Sequence, residues 1–428
     1  MSQSGNIDMV EQIHDVKWVD YFLVFLLVFI SGNPIVSHLT DWAFVYVGLS
    51  LFVYALVLNK VLGNRRLLLV VLSMVVINIM QAYTLNKVSF NANVNYLFKI
   101  YCGFIVVSIL GEKFRGVYLK VISTLCGISI LGFMANIFIG EFPGYQFDRY
   151  CSLVFYNYVL GGSDSHFMDI GTRNSGMFWE PGAFQGYINI AFLLYIDKFN
   201  VFFREYKKYF IILLLALLST FSTTGYLVFF AIIVLSAFRN TKNIIAKVFI
   251  TTFVSIAAFW AYNNLDFMGE KINHEYENVQ EINNRGVASS RMGSAIISWQ
   301  NLMNNPLCGN GHLIEMRYYG ISYADFNGGG NGFFGAMNMF GIPMMLLYLL
   351  LLYKNYKSVP FLKLVFVVVV VIMLQGEYFL NFSLFWSLIF VIYPETDIEH
   401  ETDCNFNDSI QSSRNDIAVL ATGGRAAV

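Results

Sequence analysis

Apolar stretches alternate with shorter polar connectors along most of the chain, and the longer stretches match the roughly 17 to 25 residues a helix needs to cross a ~30 Å hydrocarbon core. They fall at 18–37, 42–58, 67–83, 94–110, 117–139 and 182–196, and again at 209–221, 225–238, 244–262, 332–353, 361–374 and 378–393. This pattern predicts an all-α polytopic membrane protein of about twelve transmembrane helices, with residues 18–393 as the transmembrane domain. Two connectors are long and polar, about 140–181 and 263–331.

Composition agrees with the pattern. With 57% hydrophobic and 13% charged residues, the chain carries about half the charge of an ordinary soluble protein, so water is not its main solvent. The net charge of -1 says little as a sum, whereas the positions of the cations are informative. One alternate set of connectors holds Lys60, Arg65, Arg66, Lys113, Arg115, Lys198, Arg204, Lys207, Lys208, Arg239, Lys242, Lys247, Lys354, Lys357 and Lys363. That set is expected to face the cytoplasm, which places the two long loops on the periplasmic side and both termini in the cytoplasm. Residues 1–17 are polar and include Asp8, Glu11 and Asp15 in place of a basic signal region, so the first apolar stretch is expected to stay as an anchor. Residues 394–428 begin acidic and end in small residues, the composition of a disordered tail.

The five cysteines form no framework. Cys102 and Cys126 lie in apolar stretches and Cys404 in the tail, while Cys151 and Cys308, one in each long loop, are left either to pair or to remain free. No metal-ligand spacing is visible, so neither metal nor cofactor is expected. The basic residues follow the membrane surface and form no aromatic-interleaved patch, which excludes nucleic acid as a partner.

Chemistry is therefore expected in the long loops. The first ends in Thr172-Arg173-Asn174-Ser175-Gly176-Met177-Phe178-Trp179-Glu180-Pro181-Gly182 and runs straight into an apolar helix. Pro181 suits a first helical turn and Glu180 sits at the positive end of the helix dipole, so Glu180 reads either as a helix cap or as a catalytic base. The second loop carries Ser290-Arg291, Trp299, Pro306-Leu307, Gly309-Asn310-Gly311-His312 and then Asn331-Gly332-Phe333-Phe334 and Gly341-Ile342-Pro343. Between the loops, Leu218 to Gly225 makes a small polar turn between two apolar stretches.

In their order, these segments resemble the O-antigen polymerase (Wzy) family of the O-antigen polymerase/ligase superfamily. The pattern Arg173-x-x-Gly176-x-x-x-Glu180-Pro181-Gly182 is similar to the Arg-Gly-Glu-Pro-Gly pattern that precedes a transmembrane helix in many O-antigen and exopolysaccharide polymerases. The segment from Arg291 to Gly341 resembles the shared polymerase/ligase signature. One departure stands out: where ligases and many polymerases carry a His-Asn pair, this chain has Gly330-Asn331. The small turn departs as well, with Thr223 and Thr224 where an arginine often follows the serine.

The resemblance implies a GT-C-like membrane glycosyltransferase of the bacterial inner membrane, acting at its periplasmic face. It would join undecaprenyl-diphosphate-linked oligosaccharide repeats into a surface polysaccharide, with a flippase and a chain-length regulator as partners. In that chemistry Arg173 and Arg291 bind the diphosphate, as guanidinium forks suit phosphate oxygens. Their alternative role is a surface ion pair with Glu141, Asp148, Asp169 or Glu315. Glu180 is the first choice of base, with His312 a second candidate and Glu377, His38, His166 and His274 further alternatives. Trp179 and Asn331 are assigned to the sugar. Tyr318, Tyr319, Tyr323, Phe326, Phe333 and Phe334 read first as interface aromatics and only then as sugar platforms. Two rival functions stand beside the polymerase: an O-antigen ligase, disfavoured by the missing histidine, and a lipid-linked oligosaccharide flippase. A flippase is expected to bury charges within its helices and to show two related halves.

Overall fold

The computed structural model describes residues 16–39, 42–140, 143–147, 150–159, 173–240, 243–264, 273, 291–317, 330–356 and 360–393. The expected tail, most of the N-terminal segment, His166, His274, Tyr318, Tyr319, Tyr323 and Phe326 lie outside these residues, as does the side chain of His38.

The protein is mostly helical. The first half contains α1 (Trp18–Gly32), α2 (Pro34–Leu39), α3 (Ala43–Val57), α4 (Arg65–Thr84), α5 (Phe90–Leu110), α6 (Phe114–Ile139), α7 (Pro181–Leu194), α8 (Phe199–Glu205) and α9 (Lys207–Ser219). The second contains α10 (Thr223–Asn240), α11 (Ile244–Asn264), α12 (Arg291–Leu302), α13 (Ile314–Arg317), α14 (Gly332–Phe340), α15 (Ile342–Asn355), α16 (Pro360–Gly376) and α17 (Ser383–Ser387). Two helical runs, Arg65–Thr84 and Phe90–Ile139, are long and apolar enough to cross a membrane, the second broken by the 3-10 turn Gly111–Lys113. Several others, including Trp18–Gly32, Ala43–Val57 and Pro360–Gly376, are apolar but shorter.

Helix starts follow local chemistry. Asn64 Oδ1 accepts from the Leu67 amide at 2.8 Å, Ser89 Oγ from Ala92 at 3.3 Å, and Asn331 Oδ1 from Phe334 at 3.0 Å. At the centre lies α7, whose every residue is buried, Gln185 and Asn189 included. Asn189 Nδ2 donates to Gln185 Oε1 at 2.9 Å and to Gly225 O at 3.1 Å, which ties the polar stripe of α7 to the start of α10. On the other side, Tyr118 of α6 donates to Tyr187 O at 2.8 Å, and Tyr187 in turn donates to Ser31 O at the end of α1.

Three expectations need correction. First, the long loop after α6 is not wholly irregular: β1 (Tyr145–Phe147), β2 (Tyr150–Ser152) and β3 (Asn157–Val159) form an antiparallel sheet in the order β1-β2-β3. Second, the helix expected over 332–353 is broken at Gly341, which takes φ +82°. The Pro306 to Gly311 turn packs into the break: Ile342 N donates to Pro306 O at 2.9 Å, and a Cβ on Gly341 would collide with Leu307 O. Third, the apolar run 378–393 is not one helix. It forms a 3-10 turn (Phe379–Asn381), the short α17 and further turns.

Hydrogen bonding from other elements explains the third correction. Carbonyls of this run accept from side chains elsewhere: Leu380 O from Tyr96 at 2.6 Å, Phe385 O from Tyr348 at 2.9 Å, and Leu388 O and Val391 O from Asn355 at 2.8 and 2.7 Å. With those partners available, an unbroken helix is not needed to satisfy a buried backbone.

Candidate functional site

The chain preceding α7 is held by the small sheet. Asn157 of β3 takes Gly176 O at 2.6 Å through its amide and Met177 O at 2.6 Å through its side chain, and Ser175 Oγ donates to Asn157 O at 2.7 Å. Asn174 adds a second anchor: its backbone amide bonds Ser219 O at 3.0 Å and its side chain bonds Ser219 Oγ at 2.9 Å. These ties hold Arg173 beside the turn between α9 and α10. Its Nε donates to Thr220 O at 3.1 Å and its Nη2 to Phe221 O at 2.9 Å.

Arg291, the first residue of α12, reaches the same turn. Its Nη1 lies 2.7 Å from Thr224 Oγ1, and its Nη2 lies 3.2 Å from Glu377 Oε1 just after α16. Both side chains of this ion pair are largely buried, at 23% and 12% exposure, so solvent screens it less than a surface pair. Burial pulls the Arg173 guanidinium below its ordinary value, Glu180 draws it back up, Arg291 opposes it and Glu377 favours it. A guanidinium stays charged through such a shift.

Gly182 marks where these groups meet. A Cβ built there would lie 2.5 Å from Glu377 Oε1, 3.1 Å from Glu180 Oε1 and 3.4 Å from Arg291 Nη2. Two carboxylates and one guanidinium thus crowd against the bare backbone of the second residue of α7. Glu180 occupies the N-cap position, but its side chain makes no capping bond to the helix amides; it points instead to this cluster.

The other candidates fall elsewhere. Asn331 is buried and caps α14; its Nδ2 donates to Gln375 Oε1 at 2.6 Å and its amide to Ser294 Oγ at 2.8 Å, so it positions the helix rather than presenting its side chain to a sugar. Trp179 stacks on Phe382 with centroids 4.5 Å apart. Trp299 meets Phe334 edge-on at 5.9 Å, and Phe333 lies against Phe334. His312 sits toward the other end of α14, in ring contact with Tyr96 at 5.1 Å and Phe340 at 5.3 Å. Burial, with Arg317 and Lys99 adding to it, pushes its pKa down to about 3, which makes it a weak base. Glu315 pairs with Lys87 at 3.4 Å, not with either arginine of the site. Cys151 and Cys308 are buried and form no disulfide with each other, Cys151 lying among Phe133, Tyr156 and Tyr158, and Cys308 beside Thr84.

Sequence reasoning placed Glu377 among the further alternatives, named Thr224 only as part of the small turn and did not single out Gln375. A signal for Glu377 existed: it is the lone carboxylate of the apolar sequence from Lys363 to Tyr393. Such an acid in so apolar a setting requires a partner. Compared with protein-family models, curated proteins and solved structures, the chain matches none.

Proposed function

We propose that this chain is a multi-pass inner-membrane glycosyltransferase that polymerises undecaprenyl-diphosphate-linked oligosaccharide repeats at the periplasmic face. The membrane reading is supported by the two long apolar helical runs and by large apolar side chains on outward faces, such as Leu68, Leu69, Leu72, Val76 and Ile79 of α4. About twelve crossings, with both termini cytoplasmic, account best for the cation pattern of the connectors.

One observation carries the enzyme reading: Arg173, Glu180, Arg291 and Glu377, from three distant stretches of chain, converge around Gly182 and the Ser219 to Thr224 turn. In the proposed step the acceptor sugar hydroxyl attacks the anomeric carbon of the donor glycan. The new bond is a glycosidic C–O bond; the bond that breaks joins the anomeric carbon to the diphosphate oxygen. Arg173 and Arg291 neutralise the charge gathering on the leaving diphosphate, in a setting whose burial strengthens that attraction. Glu180 takes the hydroxyl proton, and Glu377 holds Arg291 in place.

Loss of the gene distinguishes this reading from its rivals on a gel of surface polysaccharide. A polymerase defect leaves single-repeat caps, a ligase defect leaves polymer on the carrier lipid, and a flippase defect traps repeats facing the cytoplasm. Single-repeat caps restored to a ladder by the wild-type chain support the proposal. A ladder unaffected by the deletion overturns it.

A further inference from the structure

The turn between α9 and α10 is gripped from two sides. Arg173 holds its first half through Thr220 O and Phe221 O, at 3.1 and 2.9 Å. Its other end is seated on α7: Asn189 Nδ2 donates to Gly225 O at 3.1 Å, and a Cβ on Gly225 would lie 2.7 Å from Gln185 Cβ. Gly225 N also donates to Ser222 Oγ at 3.3 Å. The backbone on both sides of Thr224 is thus fixed by contacts that do not involve its side chain.

That side chain has two arms. The methyl carbon Cγ2 packs on Gly376, the last residue of α16, where an added Cβ would come within 2.9 Å of it. A β-branched residue has few χ1 positions, and with the methyl lodged there the hydroxyl is turned toward Arg291. Arg291 Nη1 donates to Thr224 Oγ1 at 2.7 Å, a shorter contact than the 3.2 Å from its Nη2 to Glu377 Oε1. Gly376 directly precedes Glu377, so Thr224 meets Arg291 through one arm and the chain carrying Glu377 through the other.

Arg291 needs such a hold. Arg173 lies near enough for the two guanidinium charges to repel, and a guanidinium beside a carboxylate favours two-point pairing with both oxygens. Full pairing with Glu377 would turn its donors from a diphosphate and offset the charge that acts there. A hydroxyl accepts the same hydrogen bond while carrying no charge, so it fixes the group without neutralising it.

We propose that Thr224 is a positioning residue of the polymerisation reaction, its hydroxyl holding the Arg291 guanidinium between Glu377 and the leaving diphosphate. This role rests on the polymerase reading and is exerted through Arg291.

Two pairs of chains differ at residue 224 by the hydroxyl. Thr224→Val keeps a branched side chain against Gly376, and Thr224→Ala differs from Thr224→Ser by the hydroxyl alone. Each full-length variant is expressed in a strain lacking the gene, with Arg291→Gln as reference. The rate at which polymer longer than one repeat appears on a gel is divided by the amount of chain in the membrane. Thr224→Val should be slower than the wild type, and Thr224→Ala slower than Thr224→Ser, each by about tenfold or more. Thr224→Ser should keep most of the wild-type rate. Combined with Arg291→Gln, Thr224→Val should cost nothing further, because the hydroxyl has lost the group it holds. A wild-type rate in Thr224→Val, or Thr224→Ser as slow as Thr224→Ala, overturns the role of Thr224; if Arg291→Gln still lacks the ladder, the polymerase reading stands. If Thr224→Val does not reach the membrane, the Ser and Ala variants decide alone. An unchanged ladder in Arg291→Gln overturns both.

Discussion

Arg291 Nη2 lies 3.2 Å from Glu377 Oε1, so the first residue of α12 is tied to the end of α16 across 86 residues of chain. The pair is largely buried and adjoins Glu180 through Gly182, which makes it both a geometric clamp and the charge centre of the proposed reaction.

Removing either partner strands the other in a poorly hydrated place. Arg291→Gln and Glu377→Gln should each lower polymer formation by about 100-fold or more, and the double variant should be scarcely worse than either, because the pair acts as a unit. Ladder length and rate of polymer synthesis measured on the three variants test this; additive losses would separate their roles.

Glu180→Gln isolates the base. The Glu180 side chain makes no helix cap, so the substitution should leave the chain folded while abolishing polymer formation. Retained polymer would remove Glu180 from the chemistry.

Gly182→Ala places a methyl group 2.5 Å from Glu377 Oε1 and 3.1 Å from Glu180 Oε1. Alanine favours the helix by up to about 1 kcal/mol, so stability should hold while activity falls. A stable, fully active variant would show that the two carboxylates can separate without consequence.

His312 gives a pH dependence with a definite sign. Its folded pKa, pushed down to about 3, lies below the model-peptide value of about 6.5, so the unfolded chain binds the proton more readily. Stability from this group is complete above about pH 6.5 and declines as pH falls from there toward 3. His312→Phe keeps a ring between Tyr96 and Phe340 but does not titrate, so its melting temperature should fall less between pH 8 and pH 5 than that of the wild type.

At the opposite end of the helices, Arg115 Nη2 meets Asp197 Oδ1 at 2.9 Å with both side chains buried. Asp197→Asn should destabilise the protein by about 3 kcal/mol, by leaving a guanidinium buried without its counter-charge. Little change in the melting temperature in detergent would argue that water reaches the pair.

Hydropathy alone located the long apolar helices, because apolar length and the polar connectors at its ends are local properties, whereas α8, α12 and α13 lie in stretches it left as connectors. Arg173, Glu180 and Arg291 were also legible in the sequence, as charged residues inside patterned segments next to apolar helices. The break at Gly341, the dissolution of the last apolar run into turns, the pairing of Arg291 with Glu377 and the separation of His312 from the arginines were decided only by the tertiary structure. Each depends on a partner many residues away: Pro306 for Ile342, Tyr96 and Asn355 for the carbonyls of the last run, Glu377 for Arg291, Tyr96 and Phe340 for His312. Hydrogen bonds and ion pairs of this kind have no periodicity along a chain, so a one-dimensional pattern locates the groups and the fold alone selects which of them meet.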